Sequence, residues 1–261
     1  RKGRPVNYRY QLKPRELKRR IAPEEMGLKY TSAERLEPGL AGGPVVVETE
    51  GEEVVLVTIE GACDFKHAQI EGRAECMDFV YVPRNSRIEL SAGEPAVVMR
   101  FGARADRDTS AVLIRHGEVA ADPRRHASYG SAETNCRRDV YHYITDDFDA
   151  SRLLMGICQG DTGGWTSWPP HEHAAQKEEL YVYFDMGNAF AVQCVYEDMD
   201  DPLFVGMVRD GDLVSVPRGY HPNVGVPAGR ISFVYVMSAL KAGDRSFMDL
   251  TIQKEFGDRF Q

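Results

Sequence analysis

Three histidines and a pair of acidic residues are spaced along this sequence as the ligands of a metal ion would be. His171 and His173 are two positions apart, so in an extended strand their imidazoles point to the same face and can reach one ion. Glu178 and Glu179 directly precede an alternating apolar run, and His221 closes a Gly-x5-Pro-x-Gly-x-His segment. Imidazole and carboxylate groups in this combination are typical of sites for zinc and other divalent metals.

The remaining histidines and the aromatic residues near the first motif carry less information. Single histidines are usually surface or hydrogen-bonded residues, and we expect that role for the four others, which are His67, His116, His126 and His142. The segment Trp165 to Pro170 contains both tryptophans of the chain. It either packs a loop or shapes a sugar-sized pocket beside the metal, and the sequence leaves both readings open.

The elements that must position these side chains are short β-strands. Runs of β-branched and aromatic residues, separated by glycine and proline, predict strands throughout the chain. They cover residues 54–59, 79–82, 96–101, 111–114, 153–157, 180–184, 189–194, 213–216 and 231–236. A short helix is predicted for residues 14–20. Many short strands with little helix predict an all-β fold, either a barrel or a double-sheet jelly roll.

A weak internal repeat predicts two such barrels. Val82-Pro83-Arg84 in the first half is echoed by Val216-Pro217-Arg218, and the pair Glu52-Glu53 is echoed by Glu178-Glu179. When the glutamate pairs are superposed, valines occupy the places of His171 and His173, and superposing the prolines puts an arginine in the place of His221. We therefore predict a barrel without metal ligands in residues 1–125 and a metal-binding barrel in residues 126–261.

Composition narrows the range of partners and cellular sites. The chain has 261 residues, 32 basic against 40 acidic, and a formal net charge of -8. This balance argues against a nucleic-acid partner, so an anionic substrate would need local arginines. The chain lacks an apolar run long enough to span a membrane and lacks a signal-peptide pattern near residue 1. Five widely spaced cysteines without a Cys-x-x-Cys pair favour free thiols, so we expect a cytoplasmic protein.

The two histidine segments resemble the paired motifs of the cupin superfamily, and a narrower resemblance runs through the second half. The segments that carry it are Thr134 to Val140, Gly164 to His173, Glu178 to Tyr181 and Asp210 to Pro222. They resemble the bicupin uronate isomerases, a family that includes 5-deoxy-glucuronate isomerase and 5-keto-4-deoxyuronate isomerase. The last segment is closest to the first of these enzymes. The short gap between His173 and Glu179 is nearer to the second, so the choice of uronate stays open.

This resemblance implies a fold and a site. The fold is a bicupin, with two double-stranded β-helix (jelly-roll) barrels. The implied metal ligands are His171, His173, Glu179 and His221, and they suit zinc, manganese, iron or nickel. Glu179 is preferred to Glu178 because it directly precedes the Leu-Tyr-x-Tyr strand, as the family's glutamate does.

The resemblance also suggests residues that handle the substrate. Arg138 and Arg218 are candidate anchors for a uronate carboxylate, with Trp168 as a further substrate contact. Candidates for proton transfer are Tyr181, Tyr183 and Glu178, and the sequence does not rank them.

The implied function is an aldose-ketose isomerase of a deoxy-uronate sugar, most simply one that converts 5-deoxy-glucuronate to 5-dehydro-2-deoxy-gluconate in myo-inositol breakdown. Three alternatives remain: a 5-keto-4-deoxyuronate isomerase, an oxygen-using cupin oxidoreductase with iron or manganese, and a non-catalytic sugar-binding protein. The expected partner is a small sugar acid, and assembly of the chain into a homo-oligomer is left open.

Overall fold

The first half of the chain consists of short strands joined by tight turns. The structure, a computed structural model, describes residues 6–12, 19–40 and 42–259. The strands of this half are β1 (Arg9–Gln11), β2 (Thr31–Leu36), β3 (Val45–Glu48), β4 (Glu52–Glu60), β5 (Cys63–His67), β6 (Glu71–Ala74), β7 (Phe79–Val82), β8 (Arg87–Ser91), β9 (Val97–Arg104) and β10 (Val112–Ile114). A 3-10 helix covers Pro23–Met26, and a short helix α1 covers His116–Ala121.

The second half continues in the same way. Its strands are β11 (His126–Tyr129), β12 (Arg138–Ile144), β13 (Leu153–Gly160), β14 (Trp165–Thr166), β15 (His171–Glu172), β16 (Lys177–Tyr183), β17 (Ala191–Val195), β18 (Phe204–Val208), β19 (Asp212–Val216), β20 (Asn223–Gly225), β21 (Ser232–Ala239) and β22 (Thr251–Ile252). A 3-10 helix at Lys254–Phe256 follows. The prediction of an all-β fold is confirmed, and all nine predicted runs lie largely within strands.

Each half builds a large sheet and a smaller one, with antiparallel pairing throughout. In the first half the sheets have the orders β10-β7-β4-β9-β2 and β3-β8-β5-β6. In the second half the orders are β1-β19-β16-β21-β13-β12-β11 and β14-β20-β17-β18, and β15 pairs with β22. Central strands such as β16 and β21 are buried on both faces, which explains the apolar runs at residues 180–183 and 233–237.

One strand crosses between the halves. β1 comes from the start of the chain but pairs with β19, so that Tyr10 lies opposite Leu213. The other strand pairs of the described residues join strands from the same side of residue 125. The domain boundary itself stays a prediction, but a simple division there would separate β1 from its sheet.

The two large sheets share one apolar core. Buried residues of both belong to a single cluster, including Val55 and Phe101 from the first half and Met155 and Val236 from the second. Phe79 stacks across the boundary with its ring centroid 3.8 Å from that of a tyrosine of β12. Burial of one large apolar side chain is worth about 1.5–3 kcal/mol, so the halves stabilise each other.

The strand pairing also shows the repeat, but the correspondence predicted from the two glutamate pairs is wrong by one residue. Val54 pairs with Val82, and Glu179 pairs with Val216. Both partners directly precede the proline of the repeated Val-Pro-Arg, so Glu179 corresponds to Val54 and not to a glutamate.

Residues 13–18, which contain most of the predicted helix at 14–20, lie outside the described residues. No helix among the residues described is long and apolar enough to cross a membrane.

Candidate metal centre

The first two histidines are held between a strand and a turn. His171 lies in β15 and pairs with Ile252 of β22. The carbonyl oxygen of His173 accepts hydrogen bonds from the backbone N–H groups of Gln176 and Lys177, at 2.9 and 2.7 Å. This tight turn leads directly into β16, so the short gap seen in the sequence is long enough to bring Glu179 back to the histidines.

The third histidine depends on the glycine of its motif. Gly219 has a φ of +89°, and a Cβ built on it would lie 2.6 Å from the carbonyl oxygen of Tyr196. Only glycine satisfies both conditions. Its carbonyl oxygen lies 2.9 Å from His221 Nδ1, and Gln193 Nε2 donates to the carbonyl of His221 at 2.9 Å. The Pro-x-Gly-x-His spacing therefore fixes both the backbone and the ring of His221.

The three imidazoles and one carboxylate converge on a single buried point. Ligand atoms of His171, His173 and His221 all lie within 4.8 Å of one another. Glu179 Oε2 lies 2.9 Å from His173 Nε2 and 3.0 Å from His221 Nε2. Within the described part of the chain, neither Glu179 Oε2 nor His221 Nε2 has a hydrogen-bond partner of acceptable geometry despite these short distances. Crowded polar atoms without hydrogen bonds fit a shared cation.

Backbone carbonyls set the tautomers of two of the rings. His171 Nδ1 lies 3.0 Å from the carbonyl oxygen of Pro169, and His221 Nδ1 faces that of Gly219. A carbonyl only accepts, so each Nδ1 carries the proton and each Nε2 keeps its lone pair for the centre. This is the usual support of a histidine that binds a metal through Nε2.

The protonation states also suit metal ligands. Burial raises the pKa of the Glu179 carboxyl, but His173 and His221 outweigh that effect and hold this pKa well below its usual range. Burial lowers the pKa of His171 well below its usual value, and the neighbouring imidazoles add to the effect. It also lowers the pKa of His173, partly offset by Glu179. The carboxylate of Glu179 is thus ionised and the rings of His171 and His173 are neutral, as metal binding requires.

A pocket opens beside this cluster. It is lined by a few polar groups among apolar side chains, namely Tyr129, Arg138, Val140, Cys158, Ser167, His171, His173, Glu179, Tyr181, Phe233, Tyr235, Met237, Phe247, Met248 and Leu250. Its cavity volume, counted as the space open to the centre of a water molecule, is about 70 Å³, which is enough for several ordered waters.

One strongly basic group lies in that pocket. Arg138 is 3% exposed and donates to the carbonyl oxygens of Cys136 and Trp168 at 2.9 and 2.5 Å. Its guanidinium lies 5.5 Å from the ring centre of Tyr129. It makes no ion pair with the described residues. Burial lowers the pKa of Arg138, but an arginine stays charged, so the pocket contains a positive charge without an ion-pair partner among the described residues.

The two tyrosines proposed for proton transfer have different surroundings. Tyr181 lines the pocket, and its hydroxyl lies 2.9 Å from Ser167 Oγ. Tyr183 lies outside the pocket lining, and its hydroxyl donates to Gln193 and accepts from Asn223. It therefore supports the loop of His221, since Gln193 also bonds that loop. Burial raises the pKa of both tyrosines.

Three other sequence candidates are placed away from the pocket. Glu178 is on the opposite face of β16 from Glu179, and backbone N–H groups at the start of β2 donate to its carboxylate. The side chain of Arg218 is 53% exposed and pairs with Glu197 at 2.9 Å. The ring of Trp168 packs against neighbouring aromatic rings, and only its carbonyl reaches Arg138. The structure thus does not bring the side chains of Glu178, Arg218 and Trp168 into the pocket lining beside the histidines.

Sequence reasoning missed Tyr235, which lines the pocket opposite Tyr181 in the register of β21 and β16. Its hydroxyl lies 2.7 Å from His142 Nδ1. The hydroxyl occupies the space left by Gly156, where a Cβ would lie 2.4 Å from it. The alternation of β21 predicts an inward tyrosine, but only the pairing of strands shows that it reaches the site.

The segment after β21 was also missed. Residues Phe247, Met248 and Leu250 cover the pocket. The ammonium group of Lys177, at the start of β16, donates to the carbonyl oxygens of Ser246 and Asp249 at 2.5 and 2.7 Å. We call residues 246–250 the covering segment.

The fold and site define a β-barrel protein of the cupin class with a candidate metal centre in its second half. The KduI/IolB family model matches residues 9–252. The chain belongs to the KduI/IolB family.

Relatives and solved structures agree with this assignment. The chain is 30% identical to the 5-deoxy-glucuronate isomerase of Geobacillus kaustophilus over 80% of its own length and 79% of the relative's. It is 31% identical to the enzyme of that name from Bacillus subtilis, over 60% of this chain and 58% of that one.

Among solved structures, an IolB-like protein from Salmonella typhimurium superposes with a TM-score of 0.82 at 22% identity, covering 96% of this chain and 98% of that chain. Oxalate decarboxylase from Bacillus subtilis gives a TM-score of 0.61 at 11% identity, over 91% and 79% of the two chains. At these identities the likeness describes the fold alone.

Proposed function

We propose that this protein is a metal-dependent aldose-ketose isomerase that converts 5-deoxy-glucuronate to 5-dehydro-2-deoxy-gluconate in the cytoplasm. The observation that carries the proposal is that one pocket beside the His-His-Glu-His cluster also contains the guanidinium of Arg138, which has no ion-pair partner among the described residues. A substrate that fits must offer oxygen ligands at one end and an anion at the other. A uronate sugar has both. The relatives named above carry the name of this activity, and the five free cysteines fit a reducing compartment.

The donor set fits a divalent cation. His171, His173 and His221 would supply three nitrogens and Glu179 one oxygen, a set that suits zinc, manganese, iron or nickel. When bound, such an ion supplies Lewis-acid stabilisation to the adjacent oxygens of the substrate while a proton moves between their carbons. The chain supplies what remains: binding of the carboxylate, movement of protons on oxygen, and exclusion of water.

Arg138 is the side chain that we assign to the carboxylate. Its planar guanidinium can donate two parallel hydrogen bonds to a carboxylate. Its bonds to the carbonyl oxygens of Cys136 and Trp168 hold it in place without neutralising it. A neutral sugar would leave the charge buried and unpaired, which is costly, so the pocket should select sugar acids over neutral sugars.

Tyr181 and Tyr235 are the hydroxyl groups placed to exchange protons with substrate oxygens. Both line the pocket, and they are paired neighbours in the adjacent strands β16 and β21. Burial raises both pKa values well above their usual value, so both are protonated at neutral pH and can donate to an oxygen on which negative charge develops. The apolar residues of the covering segment keep bulk water from the enediol, which protects it from side reactions.

The decisive experiment is incubation of the purified protein with 5-deoxy-glucuronate and, separately, with 5-keto-4-deoxyuronate, followed by NMR of the carbonyl carbons. We expect carbonyl migration in the first sugar, loss of turnover with a chelator, and recovery on addition of a divalent metal. Turnover of neither sugar would refute the isomerase.

Two controls refine this experiment. A His171→Ala variant should lose both metal and turnover, and a variant that keeps both would overturn the ligand assignment. Turnover of the second sugar alone would transfer the activity to the 5-keto-4-deoxyuronate reaction. Measurement of oxygen distinguishes an oxidoreductase, because an isomerase consumes none.

A further inference from the structure

Two buried carboxylates join the halves of the molecule in a reciprocal way. Glu178, from the second half, accepts hydrogen bonds from the backbone N–H groups of Lys29, Tyr30 and Thr31 at 2.6, 2.9 and 2.8 Å. The hydroxyl of Thr31 lies 2.8 Å from the same carboxylate. These contacts attach the start of β16 to the start of β2.

The first half makes the matching contact in the other direction. Glu53 accepts hydrogen bonds from the backbone N–H groups of Ser151, Arg152 and Leu153 at 2.7, 2.6 and 2.9 Å. The hydroxyl of Tyr81 donates to it at 2.6 Å. These contacts attach the start of β4 to the start of β13.

Strand register shows that the two contacts are equivalent. Glu53 lies opposite Ala103 in β9, which also pairs with Thr31. Glu178 lies opposite Ser238 in β21, which also pairs with Leu153. The two contacts are therefore related by the internal repeat. Glu178 in the second half is the counterpart of Glu53 in the first.

Side chains at the boundary repeat the relationship. Tyr30 and Arg152 provide equivalent backbone donors, and they also touch, with the guanidinium carbon of Arg152 lying 3.9 Å from the centre of the Tyr30 ring. The boundary is thus built around two matched carboxylates and one cation-π contact.

The two halves differ in the residue that directly follows the carboxylate. Val54 follows Glu53 and is a fully buried core residue. Glu179 follows Glu178 and points to the opposite face, where its Oε2 lies within 3.0 Å of two imidazole nitrogens. Successive Cα atoms are about 3.8 Å apart and rigidly linked, so a shift of the backbone at Glu178 moves Glu179.

We propose that Glu178 is a positioning residue of the metal centre: by attaching the start of β16 to β2, the first half of the chain holds Glu179 at ligand distance from His173 and His221. This inference rests on the proposed function, because it requires the cluster to bind a metal. Distances from ligand to metal in a well-formed site lie within about 0.2 Å of their usual values, so a displaced Glu179 should bind the metal less tightly. The first half of the chain therefore supports the centre through its contact with Glu178, the neighbour of Glu179.

The matched pair of glutamates provides the test. Glu178→Gln and Glu53→Gln each replace an acceptor of three backbone donors with an amide, at equivalent places in the same boundary. The full-length variants are freed of metal, and two quantities are measured: the urea midpoint of unfolding, and the affinity for Zn²⁺ in competition with a chromophoric chelator. We expect both variants to lose comparable stability, and Glu178→Gln alone to lose about 10–100-fold in Zn²⁺ affinity, as is typical when an outer support of a ligand is removed.

Two milder variants cover the case in which a glutamine variant fails to fold. Thr31→Val removes one hydroxyl from the Glu178 contact, and Tyr81→Phe removes one hydroxyl from the Glu53 contact. Zn²⁺ affinity should fall in Thr31→Val and stay at the wild-type value in Tyr81→Phe. Equal Zn²⁺ affinity in both members of a pair, in a chain whose wild type binds Zn²⁺, would refute the positioning role. A wild type without divalent metal binding would instead refute the proposed function, and the inference with it.

Discussion

Arg138 links a single residue to the chemistry of the substrate. Its guanidinium is buried in the pocket and lacks a carboxylate partner among the described residues. We predict that Arg138→Lys raises KM for the uronate far more than it lowers kcat, because an ammonium group cannot form the paired hydrogen bonds. A hydrogen bond to a charged group is worth about 1.5–3 kcal/mol, so the expected loss in kcat/KM is roughly 10–100-fold. Steady-state kinetics measures it.

The matched control for this prediction is Arg218→Lys. Arg218 is exposed and paired with Glu197, so its kinetics should match those of the wild type. A larger loss in the Arg218 variant than in the Arg138 variant would reverse the assignment of the anchor.

The lowered pKa of His142 leads us to predict that the free energy of unfolding depends on pH. Burial lowers its pKa to about 4, with Asp146 opposing the shift and Arg125 adding to it, and its Nδ1 faces the hydroxyl of Tyr235. The unfolded chain, with an ordinary histidine pKa of about 6.5, binds this proton more readily between those pH values. The stability that His142 contributes is therefore present above about pH 6.5 and decreases toward pH 4, by about 1.4 kcal/mol per pH unit.

Urea unfolding at pH 7, 6 and 5 tests the effect of His142. The His142→Gln variant cannot take up the proton, so its free energy of unfolding should decrease less between pH 7 and pH 5 than that of the wild type. The other buried histidines are present in both proteins, so their contributions cancel in the comparison. Identical slopes would contradict the prediction.

Which site residues could be predicted depended on how local their signals were. His171, His173 and His221 lie in short motifs whose spacing is a property of the strand or turn that holds them. Tyr235 gave no such signal, because its position opposite Tyr181 depends on which strands pair. Residue type and spacing are enough to predict the candidate ligands. The residues of the pocket wall can be predicted only when the pairing of the strands in the sheet is known.

At the scale of elements, the start of β16 has three tasks in three successive residues. Lys177 holds the covering segment, Glu178 contacts β2, and Glu179 faces the histidines. The sequence indicated that only one of the two glutamates can face the histidines, since neighbours in a strand point in opposite directions. It could not show what the other one does, because the donor Thr31 lies 147 positions away in the chain.

Lys177 provides a test of the covering segment. Phe247, Met248 and Leu250 of this segment line the pocket, so the two hydrogen bonds of Lys177 should decide how readily the segment opens. We predict that Lys177→Met, which keeps the apolar stem but loses two bonds from a charged donor, speeds amide hydrogen exchange in this segment by at least about tenfold. Hydrogen-exchange mass spectrometry measures the change.

The control for the covering segment is Lys241→Met, a change at an exposed lysine a few residues upstream of it. Exchange in residues 246–250 should be unaffected by that change. Equal protection of the segment in the wild type and in Lys177→Met would show that other contacts hold it closed.

At the scale of the whole molecule, the two halves depend on each other although each has its own sheets. The short strands of both halves could be predicted, because the Val-Pro-Arg repeat and the strand runs are local in sequence. The dependence could not, because it comes from contacts between distant segments. β1 completes the sheet of the second half, and buried residues of both large sheets form one core cluster.

We therefore predict one cooperative unfolding transition for the full chain. Both tryptophans, Trp165 and Trp168, lie in the second half, so tryptophan fluorescence reports on that half while far-ultraviolet circular dichroism reports on both. In urea the two signals should change together, as required of a single cooperative unit.

A fragment of residues 126–261 should accordingly fail to fold on its own. It lacks β1, which leaves the edge of β19 unpaired, and it exposes the face of the large sheet that packs against Val55 and Phe101. Exposed apolar surface and an open strand edge both favour aggregation over a native state. Near-ultraviolet circular dichroism of the fragment should lack the native tertiary signal. A folded fragment, together with separate fluorescence and dichroism transitions in the full chain, would show that the metal-binding half is an independent domain and that the first half is dispensable for its fold.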